Sequence, residues 1–463
     1  MQEDLTQDET LNEDQQGFTV SDDFITRLRE ELNGENFAEV REECLPLSAA
    51  DTAEILSKID FDHALQLVDV LGEDMSSDVY AYLDNDLVTR MFANMSDWDV
   101  ASIINQMESD DALDLIEDLD EETQGKILLT LSSKMRAALE EGLTFPEDSA
   151  GRLMQRTMVA VPQFWTVGKT LDYLRVAKDS LPDNFYDIII VDPMHHVVGE
   201  VPAGKILKAQ RTARMSDLAL DNFHPVKAET DQEDVAHLFR REALVSAPVV
   251  NEDNRLIGVI TVDDIVGVID EEAEEDLLKL AGMSDTHIYR DVLYTARSRF
   301  SWLAVNLLTA IAASIVIGFF EGTINQIVAL AVLMPIVASM GGNAGMQAMT
   351  VAVRGLATKE LSRANAHKII GKEVLVGAIN GASFAIITGI VTALWFQNPA
   401  LGMIIATAMV LNLIVAGFSG ASIPVLLDRF GMDPAVSSSV FLTTVTDVIG
   451  FFAFLGLAAM FLV

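Results

Sequence analysis

Five long apolar stretches near the C-terminus set the limits on what this chain can fold into. They cover about residues 301–320, 327–353, 373–396, 401–427 and 437–463. Each approaches or exceeds the roughly 20 residues that cross a bilayer as a helix. Fully buried soluble helices are the alternative, but five in succession, nearly free of charge, argue against it. The charge is segregated to match. From residue 291 onward there are 8 Lys/Arg and 7 Asp/Glu, so the formal net charge of −39 falls almost wholly on residues 1–290. An acidic, water-soluble part precedes a nearly neutral membrane part. That balance speaks against a nucleic-acid partner and for a lipid bilayer around the second part.

The basic residues orient the spans. Arg290, Arg297 and Arg299 precede the first. The link EGTINQ has none, the second link carries Arg354, Lys359, Arg363, Lys368 and Lys372, the link QNPA has none, and the fourth has Arg429. The positive-inside rule then puts the acidic part in the cytosol and, after five crossings, Val463 outside. The expected location is the cell inner (plasma) membrane. The N-terminus, MQEDLTQDETLNEDQQ, has neither the basic start nor the apolar core of a signal peptide, and reads as an acidic disordered leader over residues 1–24. Cys44 is the one cysteine, so no intrachain disulfide forms.

One ionisable residue stands well inside the spans: Asp447, in TTVTDVIGFF. A carboxylate at that depth needs water, a cation or a partner. No Lys, Arg or His lies inside the spans to pair with it. A structural carboxylate bonded to a neighbouring helix is the plain alternative. A bound or permeating hard cation such as Mg²⁺ or Ca²⁺ suits an oxygen ligand better than a soft metal does. Thr443 and Thr444 flank it. The second span holds PIVASMGGNAGMQ, where Pro335, Gly341, Gly342 and Gly345 suggest loosely wound backbone. Its carbonyls, with Asn343 and Gln347, would then face an ion's water shell. A small-residue packing face, GGNAG resembling GxxxG, is the plain alternative, which explains the glycines but not Asn343 and Gln347 beside them. Gly341, Gly342, Asn343, Gln347, Thr443 and Thr444 are therefore the expected pore lining. The other polar residues in the spans, Asn412 among them, read as bonds between helices.

In the acidic part, residues 25–145 carry short helical units with acidic punctuation, such as DTAEILSKID and DDALDLIEDLD, and suggest an α-helical superhelical domain. FPEDSAGRLM breaks that pattern. Residues 146–271 contain a duplication, each copy running helix, apolar strand, polar turn, strand, helix. The second copy, through APVVNEDNRLIGVITVDDI, resembles a CBS (cystathionine-β-synthase) domain. The first is degenerate, with Pro202 and Lys205 in the places of Thr261 and Asp264. In nucleotide-binding CBS domains a Thr and an Asp at this spacing touch ribose or phosphate, so Thr261 and Asp264 are candidates for ATP. The run DEEAEEDLLKL follows, with six carboxylates between Asp270 and Asp276. It opens an acidic connecting helix over 272–300 that leads to the membrane domain of 301–463.

These parts in this order resemble the MgtE family of magnesium channels. The resemblance rests on FPEDSAGRLM, the CBS pair, WLAVNLLTAIAAS, PIVASMGGNAGMQ, GMDPA and TDVIGF. It implies a multidomain membrane protein: a cytosolic helical domain, tandem α+β CBS domains, a connecting helix and a five-helix all-α membrane domain. It also implies a homodimer with a central pore. In that pattern Asp447 is the pore carboxylate and Asp433 the acidic residue before proline. Asp264, Glu272, Glu275 and Asp276 match positions that bind regulatory Mg²⁺. Gly267 departs from an acidic position of that set. The expected function is Mg²⁺ influx with negative feedback from cytosolic Mg²⁺. An ion-coupled secondary transporter and a membrane-anchored nucleotide sensor are the rivals. An enzyme is not expected, since HExxH, GxSxG and P-loop motifs are missing.

Overall fold

The computed structural model describes residues 20–117, 119–177, 181–182, 184–220, 222–283, 292–435 and 438–463. Most of the acidic leader, and residues 284–291 of the expected connecting helix, lie outside the described residues. Two units divide the chain, one ending at Ile269 and one beginning at Asp270.

The first unit opens with a run of short helices: α1 (Asp22–Asn33), α2 (Phe37–Cys44), α3 (Ala49–Lys58), α4 (Phe61–Leu71), α5 (Asn85–Phe92), α6 (Asp97–Ile104), α7 (Ser109–Glu117), α8 (Glu121–Thr130) and α9 (Ser133–Gly142). The acidic and hydroxyl punctuation of the sequence marks their starts. Ser48, Asp60, Asp84, Ser96, Asp120 and Ser132 each accept a bond from a backbone N–H of the turn that follows. That satisfies donors a helix leaves unpaired at its N-terminus. Asp51, Asp62, Asp86 and Asp97 in the first turns also suit the positive end of the helix dipole. The opposite faces are apolar at helical spacing, and Leu28, Ile55, Leu67, Met91, Ile104 and Ile127 meet in one core.

After α10 (Ala150–Leu153) come two copies of one α+β unit. The first is β1 (Ala160–Pro162), α11 (Val167–Val176), β2 (Asp187–Val191), β3 (Val197–Pro202) and α12 (Ala203–Lys208). The second is α13 (Met215–Leu218), β4 (Val226–Lys227), α14 (Gln232–Glu242), β5 (Ser246–Val250), β6 (Leu256–Thr261) and α15 (Val262–Leu280). In each, the first strand runs parallel to the second and the third antiparallel to it. The expected helix–strand–turn–strand–helix order holds in both copies. The leading strands β1 and β4 are too short to show a period of two.

The second unit is helical: α16 (Val292–Gly318), the short α17 (Glu321–Gln326), α18 (Ala329–Ala357), α19 (Ala366–Trp395), α20 (Pro399–Arg429) and α21 (Ser438–Phe461). All but α17 are long and apolar enough to cross a membrane. α20 packs against α18, α19 and α21. Its seam with α19 is lined by glycines: Gly377 lies against the Leu413 carbonyl, Gly381 against Val410, and Gly389 against Gly402. Lipid provides no hydrophobic drive between helices, so close backbone approach through small residues supplies the packing. Gly377→Val is expected to force the seam apart and cost about 1–3 kcal/mol, read as a lowered melting temperature in detergent. Gly371→Ala, which meets open space, is the control and leaves it unchanged.

Two expectations are corrected. The GGNAG stretch is not loosely wound: α18 is a continuous helix through Pro335, Gly341, Gly342 and Gly345. A backbone N–H released in hydrocarbon costs several kcal/mol, so the helix keeps its ladder on both sides of Pro335, which has no N–H to release. The glycines instead admit neighbours, Gly341 facing Asn412 and Gly345 facing Leu442. Nor is there one connecting helix over 272–300 among the described residues. The acidic run continues the last CBS helix, which ends at Leu280, and Gly282 then takes φ +75°, a left-handed turn that favours glycine. The first span begins at Val292, earlier than its apolar composition marks.

Candidate ion-conduction site and acidic sensor

α21 carries Thr443, Thr444 and Asp447 within one turn. The two hydroxyls donate to the carbonyls of Ser439 and Val440, at 2.6 and 2.7 Å. Their oxygens keep acceptor capacity for a ligand. Asp447 is half-buried, and among the described residues no side chain bonds or pairs with it. On α18, Asn343 and Gln347 are exposed one turn apart, and the Asn343 Nδ2 donates to Ser339 Oγ at 3.3 Å. Packing fixes the relative depth of the two helices. Gly345 meets Leu442, while Gly341 and Gly450 both meet Asn412 of α20. Asn343, between the two α18 glycines, therefore stands at the depth of Asp447, between Leu442 and Gly450. Gly342 faces open space on the same stretch. The arrangement offers one carboxylate and several neutral oxygens at one level, which suits a hydrated cation rather than a stripped one.

Asp264 lies in the first turn of α15. Its Oδ2 accepts from the backbone N–H of Thr261 at 3.1 Å and from Thr261 Oγ1 at 2.9 Å, a capping arrangement that ties strand end to helix start. Carboxylates of the helical domain face it. Asp110, only 8 % exposed, has an Oδ1 that is buried without a hydrogen-bond partner. Burial, with the Asp264 and Asp111 charges, holds Asp110 well above the usual carboxylate range. Burial, then the Asp264 charge, pushes Asp111 up to about 7, and burial pushes Asp264 up to about 6. Glu108 is raised by burial and by the charges of Asp264, Asp263 and Asp78. No protein cation is among these causes, so like charges crowd a partly buried site. Among the described residues no group of three or more His, Cys, Asp or Glu is arranged as a ready-made metal cage. A divalent ion bridging Asp110, Asp111 and Asp264 would thus draw the carboxylates together. Sequence reasoning missed Asp110 and Asp111, which sit in the first turn of α7 and look like the other acidic helix starts.

The second acidic group is compensated differently. Glu275 and Asp433 both pair with Lys279, at 2.5 and 2.7 Å. The other oxygen of Asp433 accepts from the backbone of Ala435 at 2.7 Å. Burial lowers the Lys279 pKa, and its bonds to Asp433 and Glu275 more than reverse that, so it stays charged. Asp276 beside them is raised by burial and by Asp433. A lysine thus occupies the centre of the site assigned from sequence to metal. Glu272 is half-buried on the same helix.

A cleft between the two CBS copies is lined by Met158, Phe185, Tyr186, Asp187, Ser246 and Thr261, among others. Ser246 Oγ donates to Asp187 at 2.7 Å. Of the two nucleotide candidates, Thr261 lines this cleft. Asp264, bonded to Thr261, is not among the lining residues.

Three comparisons bear on this geometry. Residues 334–457 match the MgtE family, described as divalent cation transporters; residues 47–148 match the MgtE intracellular N domain; residues 215–271 match the CBS domain. The chain is 30% identical over 336 residues to the magnesium transporter MgtE of Bacillus subtilis, covering 72% of this chain and 74% of that protein. It is 32% identical over 337 residues to the magnesium transporter MgtE of Thermus thermophilus, covering 72% and 74%. Among solved structures it is similar to the cytosolic domain of the Mg²⁺ channel MgtE in complex with ATP. That match has 25% identity and a TM-score of 0.50, covering 53% of this chain and 99% of that one.

Proposed function

The chain belongs to the MgtE family of magnesium transporters, and we propose that it is a Mg²⁺ channel admitting the ion through Asp447 and closing as cytosolic Mg²⁺ rises. It is a multi-pass membrane protein with an intracellular N domain. The observation that carries the conduction reading is Asp447, a carboxylate in a membrane span with no partner among the described residues, level with Asn343. Mg²⁺ dehydrates reluctantly, so the ion crosses this level keeping its water, the carboxylate and threonine oxygens binding the shell. The pore is completed by a second copy of the chain, and Val463 lies outside.

Feedback rests on the acidic groups. Cytosolic Mg²⁺ bridges Asp110, Asp111 and Asp264, and a second set at Glu272, Glu275, Asp276 and Asp433. Binding that is tighter in the shut state is all that closure needs. α15 carries Asp264 at its start and Asp276 near its end, so one helix reports on both. ATP is proposed for the CBS cleft, where Phe185 and Tyr186 offer stacking surface and Asp187 a ribose acceptor.

The deciding experiment is Mg²⁺ flux in proteoliposomes against Mg²⁺ on the cytosolic side. Flux is expected to fall as that concentration rises and to persist with no H⁺ or Na⁺ gradient. Flux that stops when such a gradient is collapsed would instead make the protein a coupled transporter. Lys279 supplies a smaller test. Lys279→Gln leaves Glu275 and Asp433 without their counter-charge and removes the cation that competes with Mg²⁺ for them. The Mg²⁺ needed for half-closure is expected to fall about threefold, the effect of less than about 1 kcal/mol. An unchanged closing curve would remove this ion pair from gating.

A further inference from the structure

Asn412, near the middle of α20, is fully buried among membrane-spanning helices. Its Nδ2 donates to the Val337 carbonyl of α18 at 2.8 Å. Its Oδ1 is buried with no hydrogen-bond partner among the described residues. Leaving an amide oxygen unpaired in an interior is costly, so packing alone would favour a leucine here. The surroundings are shaped to the amide nonetheless. Gly341 of α18 and Gly450 of α21 both lie against it, and the Oδ1 is 3.1 Å from where a Cβ on either glycine would stand. Two helices thus lack side chains at the places where this one enters.

The neighbours of those contacts are the conduction residues. Gly341 precedes Asn343 by two positions, and Gly450 follows Asp447 by three, one helical turn. We propose that Asn412 is a positioning residue that keys α18 and α21 into one register, so that the Asp447 carboxylate and Asn343 stand at the same level. The Nδ2 bond sets the height of α18, and the amide wedged between two glycines sets how closely α21 approaches. Selection of a hydrated ion depends on the distance between oxygen ligands fixed to within about half an ångström. A residue that touches no ion therefore sets selectivity. This inference rests on the reading of Asp447 as the conduction site.

The test uses the full chain in proteoliposomes, with Mg²⁺ and Ca²⁺ as probes. Asn412→Leu keeps the number and branching of side-chain heavy atoms and removes both amide functions. It is expected to keep or raise the melting temperature, because an unpaired polar atom is gone. The Mg²⁺-to-Ca²⁺ flux ratio is expected to fall about tenfold, as for ligands displaced by about 1 Å. Gly450→Ala, which pushes the amide from the α21 side, is expected to lower the ratio in the same direction with Asn412 in place. A folded Asn412→Leu protein with the parent ratio overturns the proposal. If that variant does not fold, a folded Gly450→Ala protein with the parent ratio overturns it instead, and a lowered ratio supports it. Asp447→Asn separates the two ideas. Undiminished Mg²⁺ flux in that variant defeats the conduction reading. Blocked flux there, beside a parent ratio in the folded Asn412 or Gly450 variant, defeats the positioning role alone.

Discussion

Asp447→Asn is expected to abolish most Mg²⁺ flux, by about a hundredfold, while the protein folds as well as before. The substitution is nearly isosteric and removes only the charge. A divalent ion held through one water, about 4–5 Å away, is attracted to a carboxylate by several kcal/mol at the effective dielectric of such sites. Losing about 3 kcal/mol of that attraction is about a hundredfold in occupancy. The same substitution removes a charge from membrane depth, where a lone ionised side chain costs about 2.5–3.5 kcal/mol on insertion scales. Stability should hold or rise as flux falls. Proteoliposome flux and a detergent melting curve on one preparation check both halves. Flux and stability falling together would point to a structural carboxylate, and undiminished flux would remove Asp447 from the conduction path.

The second large effect belongs to the acidic group at the start of α15. Asp111 is pushed up to about 7 and Asp264 to about 6, both chiefly by burial. A carboxyl whose folded pKa is raised binds its proton better folded than unfolded. Its charge therefore costs stability above the folded pKa, and that cost vanishes below the unfolded value near 4. Without Mg²⁺, stability should rise as pH falls from about 7 to about 4, by a few kcal/mol in all. Mg²⁺ acts where the carboxylates are charged. It should raise the melting temperature at pH 7.5 and lose that effect by about pH 5. Asp110→Asn together with Asp111→Asn should raise the Mg²⁺-free melting temperature at pH 7.5. The Mg²⁺-dependent rise and the Mg²⁺-dependent closure of flux should both weaken, leaving only what the second acidic set supplies. A Mg²⁺ effect as large in the double variant as in the parent would remove this group from the sensor.

The two sites differ in how far they could be read beforehand. Asp447 was visible because lipid-depth sequence tolerates few charges, so one carboxylate in TTVTDVIGFF stands out. Asp110 and Asp111 were hidden, because an acid in the first turn of a short helix already has a reason to be there. Their shared burial and their approach to Asp264 join residues more than 150 positions apart. Lys279 was similarly invisible as a partner. In sequence it is one base after six acids; folded, its reach to Asp433 makes it the counter-ion of a site assigned to metal. The glycines of α18 were noticed, but a local pattern leaves a bend and a place where another helix presses in equally open.

Hydropathy, charge segregation and helical period were enough to settle the five spans, the acidic part ahead of them, the duplicated α+β modules and the lone carboxylate. Those properties are local, and a bilayer or a helix face reads them along the chain. Only the tertiary structure decided that α18 is one continuous helix, that Asn412 sits between two glycines, and which carboxylates share a space. Each of those depends on which residues from distant segments come within a few ångströms of one another, a distance that periodicity does not encode.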